Sequence, residues 1–225
     1  MLTLAKSDPS ATVRLALASA LPCLDAGPAW DVATALAMHG EDKDDRFLPK
    51  MIWFGLGRVI GSDFARALAL ADQTPLPSLA DSIRWYAATT PAGREALVSA
   101  LLKQPDETAQ RSLRLLAFGL KDEATAPMPK AWPAVQGKFA SSAVGGTVDQ
   151  IAALFADRAV LARMRGVLAR KDLPLPQRRA AFDLLKRVGD PDATPLFASL
   201  LDVSEFRSAV IPLLSRSREP AIAAA

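Results

Sequence analysis

SDPSATVRLALASAL, residues 7–21, decides the fold. It opens on Asp8-Pro9, a pair that turns the chain, places Arg14 six positions on, and runs into Ala and Leu at helical spacing. Ser, Asp or Pro ahead of an apolar run is a helix-start signal, because their side chains accept orphan N–H groups or their geometry suits the first turn. Three further segments share this grammar: Asp106 and Arg111 before SLRLLAFGL, Asp172 and Arg178 before RAAFDLL, and Asp202 and Arg207 before SAVIPLL. The intervals from Arg14 to Arg111, Arg178 and Arg207 in turn are 97, 67 and 29 positions. These are about three, two and one units of a period near 30–35 residues, and a fixed period marks a repeat architecture.

Amphipathic segments fill the gaps. Second helices of a unit are expected at LPKMIWFGLGRVI (48–60), LADSIRWYAA (79–88) and TVDQIAALFA (147–156). First helices are expected at 29–39, 63–72, 92–103, 130–139, 158–170 and 192–201. Turns fall between them at SDPS (7–10), GSD (61–63), TTPAG (89–93), QPDE (104–107), LPLPQ (173–177) and GDPDAT (189–194). No segment of period two interrupts the pattern. The expected fold is all-α, an α-solenoid of about seven helical hairpins running through 1–225 as a single array. Residues 1–6 read as the tail of one helix and EPAIAAA (219–225) as the start of another, so the chain reads as a piece cut at both ends. In each unit Asp caps the second helix and Arg reaches the next unit's Asp, which makes Asp8, Arg14, Asp106, Arg111, Asp172, Arg178, Asp202 and Arg207 a structural ladder.

Composition supports helix and limits function. Half of the chain is hydrophobic, which argues against disorder, and the scarcity of aromatic and β-branched runs argues against strands. A net charge of +3, spread along the chain, gives no concentrated basic stripe for nucleic acid. Cys23 stands alone, so neither an internal disulfide nor a Cys/His zinc site is available. The first residues lack a signal-peptide apolar run, and no apolar stretch is long enough for a membrane span.

Motifs that carry chemistry are incomplete. His39, the single histidine, lies in AMHGEDKDD at a helix C-terminus, where it serves as a cap or surface group. GLGRVIG (55–61) lacks the preceding strand of a phosphate loop, so its glycines read as close helix packing. Glu41, Asp42, Asp44 and Asp45 lack the alternation of a calcium loop and read as solvated. Trp53, Phe54, Trp85, Tyr86 and Trp132 read mainly as core. Arg84 and Trp85 are the candidate partner-binding pair, since Arg and Trp anchor interfaces. No catalytic residue, metal ligand or cofactor is expected.

SDPSATVRLALASAL resembles a HEAT repeat, which places the solenoid in the HEAT/armadillo-like class. DDRFLPKMIWFGLGRVIGSDFARALALA, PMPKAWPAVQGKFASS, VGGTVDQIAALFAD and LPLPQRRAAFDLLKRVGDPDATPLFASLLD are similar to the HEAT-repeat region of large membrane-bound dehydrogenase-like, haem-binding proteins of planctomycetes and their relatives. In those proteins a sugar-dehydrogenase-like propeller precedes the repeats and a c-type cytochrome domain follows. The resemblance implies an extracytoplasmic, redox-related parent; without it the chain reads as cytoplasmic. C-x-x-C-H is missing here, so neither haem attachment nor dehydrogenase activity carries onto any residue. The expected function is a non-catalytic scaffold or spacer that contacts another protein or neighbouring domains of its parent chain. The alternative is a free-standing HEAT-like nucleic-acid binder.

Overall fold

The computed structural model describes residues 1–215. EPAIAAA, read above as a helix start, lies outside the described residues. These form fourteen α-helices and no strand. In chain order they are α1 (Leu2–Ser7), α2 (Ala11–Ala20), α3 (Ala26–Leu36), α4 (Leu48–Leu56), α5 (Phe64–Gln73), α6 (Pro77–Thr89) and α7 (Pro91–Leu101). They continue as α8 (Asp106–Gly119), α9 (Trp132–Phe139), α10 (Gly145–Leu154), α11 (Arg158–Ala169), α12 (Leu175–Val188), α13 (Thr194–Ser199) and α14 (Ser204–Leu214).

Local chemistry sets the boundaries. Asp63 accepts the Arg66 N–H at the start of α5, Thr90 accepts that of Gly93 in α7, and Asp157 accepts those of Ala159 and Val160 in α11. Asp45 accepts the N–H groups of Phe47 and Leu48 ahead of α4, both at 2.8 Å. Each bond satisfies a donor that the helix itself leaves orphaned. At the other end of α12, Gly189 adopts φ 65° and its N–H caps the last carbonyls. That left-handed conformation suits glycine, which has no Cβ to clash.

The chain divides into two compact units. The first comprises Met1–Asp122 and Pro127–Val148; the second comprises Glu123–Ala126 and the chain from Asp149 onward. The division therefore falls inside α10. No helix bridges α8 and α9, where Pro127 and Pro129 lack donors, and the Ala126 N–H bonds the Leu154 carbonyl at 2.8 Å.

In the first unit α2, α4, α6 and α8 pack each on the next, while α1 lies on α3 and α7 lies on both α5 and α9. The seam between them is apolar: Leu17, Leu21, Ile52, Leu56, Leu79 and Ile83 belong to one buried cluster. Burying each such side chain contributes about 1.5–3 kcal/mol. The closest approach is at Gly55, where a Cβ would overlap the Leu21 side chain. In the second unit α11 packs on α12 and α13 on α14. Phe182 holds its core, with ring centroids 5.2 Å from Phe197 and 5.3 Å from Phe206.

Candidate functional site

Arginines of second helices turn back onto the end of the helix before them. Arg14, 2% exposed, donates Nη1 to the Asp8 carbonyl at 2.9 Å, just past the end of α1. Arg84 donates to the Ala71 carbonyl in the last turn of α5 at 2.9 Å. Arg178 reaches the Leu168 carbonyl at the end of α11 (3.1 Å), and Arg207 reaches the Leu201 carbonyl beyond α13 (2.7 Å). A helix end exposes unsatisfied carbonyls and partial negative charge, so a guanidinium there satisfies both. These arginines tie α2, α6, α12 and α14 each to the end of the preceding helix or the residues just past it.

The ladder residues otherwise find partners of their own. Arg14 also holds Asp42 bidentately, through Nε (2.7 Å) and Nη2 (2.6 Å), ahead of α4 in the next hairpin. Arg111 holds Asp81 on α6, again one hairpin away. Both pairs raise the arginine pKa above its usual value, the carboxylate hydrogen bond being the main cause. The Asp8 carboxylate accepts the Ser10 N–H at 2.9 Å, Asp106 meets Lys138 at 2.9 Å, and Asp172 meets Arg170 at 2.6 Å. Asp202 is exposed. Of the four Asp–Arg pairs named from the sequence, Asp8 and Arg14 are brought together, through the Asp8 carbonyl.

Arg84 and Trp85 part company. Arg84 is 5% exposed and lies in the floor of a groove of about 870 Å³ formed by α5, α6, α7 and α8. Its Nη2 pairs with Asp72 at 2.7 Å, and Gln104 donates to the same carboxylate oxygen at 2.8 Å. Its Nε is buried without a partner. The groove walls are mostly small, with Ala65, Ala69, Ala96 and Ala100 among them. Lys103, Glu107, Asp81 and Arg111 line it as well, so cations and carboxylates balance. Trp85 is half-buried and does not line the groove, since adjacent helical positions are rotated by about 100°.

Trp85 lies on α6, between the exposed side chains of α4 and α8. On α4 the exposed side chains Lys50 and Phe54 continue a stripe from Phe47 to Arg58. Exposed Glu107, Arg111, Arg114 and Phe118 form the matching stripe on α8. Phe47, Phe54 and Phe118 are 55%, 60% and 53% exposed. Large aromatic side chains so open to water on neighbouring helices are the informative exception to burial. Cations sit beside two of them: Arg46 over Phe47 at 5.4 Å and Lys121 over Phe118 at 4.7 Å.

The histidine and the acidic loop are structural. His39 lies between the Ala5 carbonyl (Nε2, 2.8 Å) and the Glu41 carboxylate (Nδ1, 2.8 Å), joining the α3–α4 loop to α1. Its hydrogen bond is the main reason that Glu41 titrates below the usual glutamate range. Glu41, Asp44 and Asp45 are exposed, but Asp42 is 3% exposed and bound to Arg14, so the loop is not uniformly solvated. In GLGRVIG the close contact lies at Gly55 alone; Gly57 is in ordinary contact and Gly61 faces open space. Trp132 is fully buried. Among the described residues no three His, Cys, Asp or Glu side chains group closely enough to hold a metal ion. Among them, too, no helix is long and apolar enough to cross a membrane. The chain matches no family model, no curated protein and no solved structure.

Proposed function

We propose that this chain is a non-catalytic scaffold, a HEAT-like α-solenoid of seven helical hairpins that binds another protein or neighbouring domains of its own parent chain. One observation carries the reading: buried charges are spent on helix ends and on one another, while large aromatic side chains stand in water on α4 and α8. A catalytic centre needs convergent polar groups left free for substrate. In the groove the central carboxylate, Asp72, is already committed to Arg84 and Gln104. The order of packing, α2 to α4 to α6 to α8, supports a solenoid, in which each hairpin contacts chiefly its neighbours. The resemblance to dehydrogenase-like, haem-binding proteins extends the proposal to an extracytoplasmic redox parent, with the redox chemistry placed in other domains.

Nucleic acid fits less well. In the second unit Arg163 pairs with Asp149, Arg165 with Asp190, and Arg170 with Asp172, which offsets those three cations against phosphate there. The test is affinity purification of the full chain from its native cells with quantitative proteomics, before and after nuclease. A protein recovered in near-equal amount and indifferent to nuclease is the expected result. Recovery of nucleic acid, with affinity that falls steeply with salt, would overturn the reading.

A further inference from the structure

Three contacts fix how the outward stripes of α4, α6 and α8 line up. The Trp53 ring meets the Tyr86 ring at 5.6 Å, Arg111 pairs with Asp81, and Gly119 abuts Ala88. At that register Lys50, Ser82 and Arg114 fall at one level across the three helices. Phe54 and Phe118 fall at the next, with Trp85 about half a turn before them on α6, and Arg58 and Lys121 follow in the turns just past α4 and α8. An aromatic row thus lies between two rows that each carry two cations. Lys50, Arg58, Arg114 and Lys121 are all exposed, and among the described residues none has a carboxylate partner. Asp81 and Glu107, at the N-terminal end of these helices, both act on Arg111.

We infer that this face binds an acidic protein segment whose apolar side chains sit on the Phe54–Trp85–Phe118 row while its carboxylates meet the cations on either side. The inference rests on the scaffold reading and names the chemistry of the partner. Aromatic rings supply apolar area at small entropic cost, and opposite charges supply steering and register. A single-stranded nucleic acid also stacks on aromatic rings, but it carries its phosphates along one side of the bases. Cations on both sides of the row suit a peptide that crosses it, with apolar side chains at its centre and carboxylates toward either end.

The test uses the full chain and a fluorescein-labelled peptide in which a central run of Leu and Phe is flanked by Asp on either side. An analogue with Lys in place of Asp and a short oligothymidylate are the controls. The acidic peptide is expected to bind, with affinity lowered about tenfold or more by Phe54→Ala with Phe118→Ala, and again by Lys50→Glu with Arg114→Glu. All four side chains are exposed, and circular dichroism checks that each variant keeps its helices. Equal binding of the Lys analogue, or indifference to Phe54→Ala with Phe118→Ala, overturns the inference. So does preferential binding of oligothymidylate that depends on Phe118, or self-association through this face in ultracentrifugation. The scaffold reading is judged separately: a native protein partner that stays bound to the Phe54→Ala/Phe118→Ala chain sinks this inference and leaves that reading standing.

Discussion

Arg14 and Asp42, 28 residues apart, form a buried bidentate ion pair that ties α2 to the loop entering the next hairpin. Removing one partner strands the other charge away from water, which costs about 3–5 kcal/mol, whereas replacing both with apolar groups is often neutral. Asp42→Ala is therefore expected to lower stability by that amount, and Arg14→Met with Asp42→Leu to restore most of it. Urea titrations followed by circular dichroism give both values. A loss under about 1 kcal/mol for Asp42→Ala would show that the pair tolerates separation.

Gly55 and Gly166 predict opposite signs for one substitution. Gly55→Ala drives a methyl into Leu21, and overpacking costs about 1–3 kcal/mol. Gly166 lies inside α11 with open space where a Cβ would stand, so Gly166→Ala gains about 0.5–1 kcal/mol from helix propensity. Melting temperatures should move apart. Equal shifts would contradict the packing described at Gly55.

The hairpin arginines differ from surface pairs in consequence. Arg178 is buried, bonds the Leu168 carbonyl and lies 5.4 Å from the Phe206 ring centroid. Arg178→Ala leaves that carbonyl unsatisfied and costs about 1–3 kcal/mol. Arg170→Ala, which breaks an exposed pair with Asp172, is expected to change nothing measurable. Comparable losses at both positions would refute the helix-end role of Arg178.

Helix type and position were readable because apolar spacing and turn residues agree along the chain. The partners of the charges were not. Arg14 was legible as a helix-start arginine, yet nothing local indicates that Asp42, rather than Glu41 or Asp44, turns inward; burial of that carboxylate depends on how two hairpins meet. The same holds for Arg84, whose place in the floor of the groove depends on Asp72 and Gln104 from other helices. The Phe54 stripe was within reach. Phe47, Lys50, Phe54 and Arg58 recur at three- and four-residue steps opposite Leu48, Ile52 and Leu56, so helical periodicity alone places them outside. Treating aromatic residues as core by default hid them.

Acid should loosen the α3–α4 loop. Glu41 is held below its ordinary 4.5 by the His39 hydrogen bond, and Asp45 below 3.8 by the N–H groups of Leu48 and Phe47. A depressed carboxylate contributes stability that is complete above its unfolded value and is lost as pH falls through the lower folded value. Stability should therefore decline below pH 4.5–3.8. Asp45→Asn should flatten part of that decline while weakening the cap on α4 at neutral pH. An acid transition identical in Asp45→Asn and the parent chain would remove Asp45 from it.

Hydrogen exchange resolved helix by helix, comparing the parent chain with Asp42→Ala, tests most directly whether hairpins depend chiefly on their neighbours. In an array of that kind, destabilising one contact opens its surroundings and leaves distant units protected. The account predicts faster exchange in α1 to α4, a smaller rise in α6, and unchanged protection in α12 and α14. A uniform rise through all fourteen helices would mean that the chain unfolds as one cooperative body, and the stacked-hairpin scaffold would have to be abandoned.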